Sequence, residues 1–404
     1  MQVPPFSLTD QLADLGSELD DAVLRVLRSG QYIGGAEIKT FEDAFAASVN
    51  CRHAVGCNSG TDALVLALRG LGIGSGDEVI TASFSFFATA EAISAVGATP
   101  VFVDVDPETY LIDLNLIEAA ITPATKVLLP VHLFGRPVDM ARIMDISHRH
   151  GLKVVEDCAQ ATGASWDSKP VGSWGDVGCF SFFPTKNLGA AGDGGAMTCQ
   201  DDALAQRMRE LAVHGMPRRY LHTALGYNSR LDSIQAAVLN VKLPHLNEWV
   251  EKRTAIAKRY LDALKDLPGV QLPDSAAEES VGHGWNQFVV RVRLCPGHQP
   301  SCGGTCAEAA SPLGLPTSRC RDWLKQSLQE QGVNTIIYYP IPIHRQPAYD
   351  DQKHAEDDLP ITDQLCSEVL SLPIFPELTS EQQDRVIAVL REQLVAQSQE
   401  RMVA

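Results

Sequence analysis

The sequence predicts an α/β fold in two domains: a large α/β/α domain built on a mostly parallel sheet, then a smaller α/β domain at the C-terminal end. Three observations predict it. Short apolar runs alternate with helical segments from Ala54 to Asp157, the pattern of buried parallel strands joined by helical crossovers. At 404 residues the chain exceeds the size at which a single core keeps growing. A long helical pattern from Arg230 then separates this regular half from a less regular one, and we divide the chain into 1–245 and 246–404.

Composition narrows the function classes. A hydrophobic fraction of 45% with 21% charged residues describes an ordinary globular protein. The formal charge of −17 argues against nucleic acid or an anionic membrane as the main partner, while leaving room for a small anion in a local pocket. The opening MQVPPFSLTDQLADL has no basic stretch followed by an apolar core, so no signal peptide is expected. No apolar run reaches membrane-spanning length. Ten scattered cysteines fit a reducing cytoplasm.

In chain order, Leu12, Leu15, Leu19, Val23, Val26 and Leu27 share helical spacing, and Gly30 closes that helix. A glycine-bearing loop, Gln31–Glu37, leads to a short helix over Phe41–Ser48 and a strand at Ala54–Cys57. Asn58-Ser59-Gly60-Thr61 then enters a helix ended by Gly70 and Gly72. A strand, a polar turn and a helix N-terminus point backbone N–H groups at one spot, which suits a phosphate. A plain N-cap is the simpler reading of the same residues. Strands follow at Glu78–Ala82, Pro100–Val103, Lys126–Val131 and Lys153–Val155, separated by helices at Phe87–Val96, Asn115–Ile121 and Asp139–His150. Ligands of such sheets bind at the carboxyl ends of strands. The polar residues to inspect are therefore Asn58–Thr61, Ser83–Phe86, Asp104, His132, Asp157–Gln160, Ser181 and Lys186.

Beyond the large domain, Arg230–Leu267 reads as one helix kinked at Pro244. The remainder reads as strand Gln287–Val292, helix Arg321–Gln331, strand Thr335–Tyr338, and helices Ile361–Leu370 and Ser380–Gln397. Residues 296–317, rich in Pro, Gly and small side chains, read as an inserted loop. Over Cys295–Cys320 lie Cys295, His298, Cys302, Cys306 and Cys320, but their spacing and the lone histidine fit zinc poorly, and no metal is expected.

The chemistry points to residues 178–196, GCFSFFPTKNLGAAGDGGA. Lys186 follows an apolar run and a proline and precedes glycine-rich chain. Partial burial beside Phe182 and Phe183 would lower its pKa and leave an amine able to react with a carbonyl. Pyridoxal phosphate asks for such a lysine, an anion at its ring nitrogen, a phosphate cradle and a flat group against the ring. Asp157, ending a buried strand, suits a pyridinium nitrogen, although capping the next turn would also account for it. Phe86 suits the ring face, or the core. Ser181 suits the phosphate, or a bond to backbone.

The motifs NSGTDAL (58–64), FSFFAT (84–89), PVFVDVDPETY (100–110), VHLFGRPVDM (131–140) and EDCAQATGA (156–164) run in order along the chain. GDVGCFSFFPTKNLGAAGDGGA (175–196), LGYNSRLDSIQAA (225–237), YYPIPIH (338–344) and SLPIFPELT (371–379) continue the series. In these the chain resembles the DegT/DnrJ/EryC1/StrS sugar aminotransferases, a family of fold-type-I PLP-dependent enzymes. The resemblance implies that Lys186 carries the cofactor and shuttles protons, that Asp157 pairs with the ring nitrogen and that Gln160 contacts the ring hydroxyl. Ser59, Gly60, Thr61 and Ser181 would bind the phosphate, and Phe86 would stack on the ring. Asn228 would reach the phosphate from a neighbouring subunit, implying a homodimer with shared sites. Arg230, Tyr338 and His344 would lie near the sugar or its nucleotide, and Gly34 and Gly35 would line the entrance. The implied reaction moves an amine, from L-glutamate, to the C3 or C4 ketone of a nucleotide-linked keto-sugar for amino-sugar, polysaccharide or secondary-metabolite synthesis. One branch of the family carries His in place of the lysine and dehydrates its substrate; Lys186 indicates amino transfer. The rival readings are a lyase of the same fold acting on amino acids and a non-catalytic regulator, the latter disfavoured by intact Lys186, Asp157 and Ser181.

Overall fold

The computed structural model describes residues 1–274, 280–293, 309–310, 316–317, 319–349 and 358–403. Its helices are α1 (Thr9–Ser29), α2 (Ala36–Ser48), α3 (Gly60–Gly70), α4 (Ala88–Ala95), α5 (Ile117–Ala120), α6 (Met140–His150), α7 (Asp202–Leu211), α8 (Ser233–Lys242), α9 (Leu246–Leu264), α10 (Arg319–Glu330), α11 (Pro360–Glu368) and α12 (Ser380–Val403). The strands of the first half are β1 (His53–Cys57), β2 (Glu78–Ala82), β3 (Thr99–Val103), β4 (Thr125–Leu128), β5 (Lys153–Asp157), β6 (Ser165–Trp166), β7 (Lys169–Pro170), β8 (Val177–Ser181) and β9 (Gly195–Cys199). Those of the second half are β10 (Val270–Gln271), β11 (Val281–Gly282), β12 (Phe288–Val292), β13 (Ala309–Ala310), β14 (Pro316–Thr317) and β15 (Val369–Leu372).

The central sheet runs β1-β9-β8-β5-β4-β2-β3. Strands β3, β2, β4, β5 and β8 are parallel, and β9 is antiparallel to both of its neighbours. Strands β8 and β9 are buried along their whole length, as expected where helices cover both faces. Register assembles the site. Asp157 at the end of β5 sits opposite Cys179 of β8, and Ser181 at the end of β8 sits opposite Gly195 at the start of β9. Gly195 in turn faces Cys57, which ends β1. Residues 57–60, 157–160, 181–186 and 193–195 therefore leave the sheet side by side. The contact is close: a Cβ on Gly195 would stand 2.4 Å from the Ser59 carbonyl oxygen.

A second core forms around the three-stranded sheet β10-β12-β15, with Tyr260, Phe288, Leu324, Leu370 and Val386 in it. Val3 joins this core, and its N–H donates to Gly332 O at 2.8 Å. The boundary we propose, after residue 245, falls in the 3-10 turn Leu243–His245, and Val3 crosses it.

Several expectations are corrected. The single helix over Arg230–Leu267 is two helices, α8 and α9. Asp232 caps α8 by accepting from the N–H of Ile234 and Gln235, so Arg230 lies outside it, and Pro244 sits in the turn between them. Thr335–Tyr338 is no strand; Ile336 makes one bridge to Ser371 before Pro340 and Pro342 end the pairing. The helix expected to reach Leu370 stops at Glu368, because Val369–Leu372 pairs with β12. The helix at Asn115–Ile121 shrinks to α5. The inserted-loop reading of 296–317, with Cys295, His298, Cys302 and Cys306, lies outside the described residues apart from β13 and β14.

Asp104, buried just past β3, ties the two halves together. Its carboxylate accepts from Ile361 N at 2.9 Å, Thr362 N at 2.8 Å and Thr362 Oγ1 at 2.7 Å. Asp104→Ala leaves these donors unpaired, each worth about 1–3 kcal/mol when buried, so the variant is expected to lose at least ~2 kcal/mol. Denaturant unfolding measures it, with Asp104→Asn expected to lose less.

Candidate active site

A cavity of about 410 Å³ opens at the carboxyl ends of the central strands. Of the residues expected to form a site, Ser59, Gly60, Thr61, Phe86, Asp157, Gln160, Ser181, Lys186 and Tyr338 all line it.

Lys186 is set by the chain after β8. Its N–H donates to Phe183 O at 2.9 Å, and Ala190 N returns to Phe182 O at 2.8 Å. Gly189 permits this tight return, since a Cβ there would meet Pro184 O at 2.3 Å. Desolvation draws the lysine pKa down to about 8, against the opposing pull of Asp157. A sizeable neutral fraction therefore exists near neutral pH.

Asp157 is only 5% exposed. Desolvation pushes its pKa up, and hydrogen bonds from Ala159 N and Thr89 Oγ1, with the charge of Lys186, oppose that push. The bonds measure 3.1 Å to Oδ1 and 2.9 Å to Oδ2. Because the Thr89 hydroxyl hydrogen goes to Asp157, Ser85 Oγ is the donor in its 2.8 Å contact with Thr89 Oγ1. Behind Asp157, the Glu156 carboxylate accepts from the N–H of Gly172, Trp174 and Gly175, each at 2.8 Å. His132 Nδ1 accepts from Val138 N at 3.0 Å, so Nε2 carries the proton and donates to Glu156 at 3.1 Å. His132, Glu156 and Cys158 are close enough for a metal, but these bonds already engage the imidazole and the carboxylate.

The pieces fit a pyridoxal-phosphate-type cofactor. A buried carboxylate facing a cavity calls for a cationic partner, and a lysine of lowered pKa lines the same space. Gly60 makes a cradle at the N-terminus of α3: a Cβ there would stand 2.7 Å from the Ser181 Cβ. Ser59 also caps the helix, accepting from Asp62 N at 3.1 Å, so the capping and cradle readings hold together. Phe86 is 57% exposed and lines the cavity, which removes the core reading. Gln160 has both arms engaged, its Oε1 accepting from Phe134 N and its Nε2 donating to the Tyr339 hydroxyl, each at 2.7 Å.

Other expected residues do not reach the cavity. His344 is fully buried, with Nδ1 2.7 Å from Ser83 Oγ, and it supports the end of β2. Gly34 lies against α8, its carbonyl accepting from Ser233 Oγ at 2.9 Å. Asn228 is exposed outside the cavity, and its Oδ1 accepts from Arg230 Nη2 at 2.5 Å. Sequence reasoning missed Thr89, Tyr339 and Gln287, which all line the cavity.

A profile of the DegT/DnrJ/EryC1/StrS aminotransferase family matches residues 13–299 and 307–391. The chain belongs to this family. It is 43% identical to the UDP-N-acetyl-3-dehydro-alpha-D-glucosamine 3-aminotransferase of Acidithiobacillus ferrooxidans, over 97% of this chain and 98% of that protein. It is 42% identical to a pleiotropic regulatory protein of Geobacillus stearothermophilus, again over 97% and 98%. The solved structure of S. venezuelae DesV in complex with a ketimine intermediate superposes with a TM-score of 0.88 at 43% identity, covering 97% of this chain and 98% of that one. Family membership implies a PLP-type cofactor, which the residues above accommodate.

Two variants test the geometry. Thr89→Val keeps the volume and removes the donor to Asp157, so pyridoxal phosphate should bind about tenfold more weakly to a normally folded chain, read by titration of the visible absorption. Gly60→Ala forces a methyl against Ser181 and should lower affinity at least as much.

Proposed function

We propose that this chain moves the amino group of L-glutamate to the C3 ketone of a nucleotide-linked keto-sugar, using pyridoxal phosphate. One observation carries the reading: Lys186, its amine desolvated, lines the same cavity as an aspartate 5% exposed at the end of a buried strand. The C3 position, rather than C4, is supported by the name of the Acidithiobacillus relative. Amination of a sugar nucleotide would serve amino-sugar, polysaccharide or secondary-metabolite synthesis in the cytoplasm. Among the described residues, no helix is long and apolar enough to cross a membrane.

When bound, pyridoxal phosphate supplies an electron sink that stabilises negative charge on the substrate carbon. Asp157 keeps the ring nitrogen protonated, held in place by Thr89 and Ala159. Backbone N–H groups at Gly60 and Thr61, with the Ser59 and Ser181 hydroxyls, would hold the phosphate at the positive end of α3. Phe86, lining the cavity, would pack against the ring. Nζ of Lys186 takes the proton from the donor's α-carbon and returns one to the sugar carbon that gains the amine. Tyr339, its oxygen accepting from Gln160, keeps a hydroxyl hydrogen free to donate.

The active unit we propose is a homodimer with shared sites. Supporting this, Asn228 and the exposed Tyr32, Ile33, Phe183, Tyr220 and Leu225 stand on the surface of the single chain. The name of the Geobacillus relative raises the regulatory reading, which predicts decay of the cofactor groups; here Lys186, Asp157 and Ser181 all face one cavity.

Incubation of the purified chain with pyridoxal phosphate, L-glutamate and UDP- or dTDP-linked 3-keto and 4-keto sugars should yield an amino-sugar nucleotide detected by mass spectrometry. Lys186→Ala should yield none, and product from a 4-keto sugar alone would move the reaction to C4. Because the lysine reacts as the neutral amine, cofactor uptake should slow about tenfold for each unit below pH 8 and level off above it, measured by stopped-flow absorption.

A further inference from the structure

Beneath the wall of the main cavity lies a second, much smaller one of about 20 Å³. Three polar atoms belonging to its lining residues are buried without a hydrogen-bond partner among the described residues: Tyr110 Oη, Arg136 Nη1 and Gln287 Oε1. Tyr110 is 3% and Arg136 8% exposed. An unpaired buried donor or acceptor costs about 1–3 kcal/mol, so three on residues that line one space call for an occupant. A space that holds one water needs roughly 10–15 Å³, and a buried water makes about three hydrogen bonds. The donor set matches: the guanidinium donates, the amide oxygen accepts and the phenol does either.

Gln287 lines both cavities. Its Oε1 is buried without a partner, which leaves the amide N–H₂ as the arm for the larger cavity. The surrounding frame is fixed. Arg136 Nη2 pairs with Asp274 Oδ2 at 2.6 Å, and Asn286 N and Gln287 N both donate to Phe134 O, at 2.9 and 3.3 Å. The N–H of that same Phe134 donates to Gln160, so the two cavities share one turn.

We propose that a single buried water bound by Tyr110, Arg136 and Gln287 orients the Gln287 amide so that Nε2 donates to an acceptor oxygen, hydroxyl or keto, of the sugar nucleotide. This makes Gln287 a substrate-binding residue and Tyr110 and Arg136 positioning residues; it rests on the aminotransferase reading above. The water itself does not. A crystal structure of the loaded enzyme that resolves ordered waters should show one at about 2.7–3.2 Å from all three atoms. A dry site, or a direct bond between Arg136 and Gln287, overturns the proposal.

Gln287→Glu keeps the length and an acceptor but removes the N–H₂. It should raise KM for the sugar nucleotide about tenfold with kcat within about twofold, the signature of lost uniform binding. Tyr110→Phe, which does not touch the main cavity, should raise the same KM about threefold. Unchanged KM in both variants, with only a lowered Tm, would reduce the cluster to a structural one and overturn the substrate role. A wild-type enzyme that aminates no sugar nucleotide defeats the functional reading instead, and leaves the crystallographic test of the water intact.

Discussion

Burying the Asp157 carboxylate to 5% exposure costs free energy that two hydrogen bonds and a nearby lysine offset in part. Much of the large domain is arranged to hold that group. β5 carries it to the carboxyl end of the sheet, α4 supplies Thr89, and Ser85 orients Thr89 in turn. Glu156, one residue earlier and pointing to the other side of the strand, gathers three backbone N–H groups and His132. A carboxylate under such strain is stabilised by a cation in the cavity. The same desolvation lowers the pKa of Lys186, so one dry environment prepares both groups for their roles.

Strand order explains why residues far apart in sequence meet. Reversal of β9 against β8 and β1 places Gly195, Ser181 and Cys57 in one row, and a glycine is needed where Ser59 O would meet a side chain. The N-terminus of α3, the lysine loop and the aspartate are therefore brought together by backbone pairing. Phe86, Tyr338, Tyr339 and Gln287 line the same cavity from segments outside that row.

The large domain was legible because buried parallel strands are short apolar runs, and the groups at their ends, Ser59–Thr61, Asp157, Ser181 and Lys186, were legible for the same reason. The second half was read less well. Helix propensity over Ile361–Leu370 was overridden by pairing of Val369–Leu372 with β12, and Thr335–Tyr338 looked like a strand but lacks a ladder. Thr89, Tyr339 and Gln287 were missed because each acts through a tertiary bond or cavity wall that local sequence does not encode. His344 was placed near the substrate by its motif, whereas Ser83 holds it inside the protein.

The most direct test of the central claim is the half-reaction with L-glutamate alone. The loaded enzyme, mixed with excess L-glutamate and no sugar, should release one equivalent of 2-oxoglutarate per chain, then stop. Continuous release of ammonia would contradict the account and indicate a lyase; release of nothing by a chain that binds pyridoxal phosphate would remove L-glutamate as the donor.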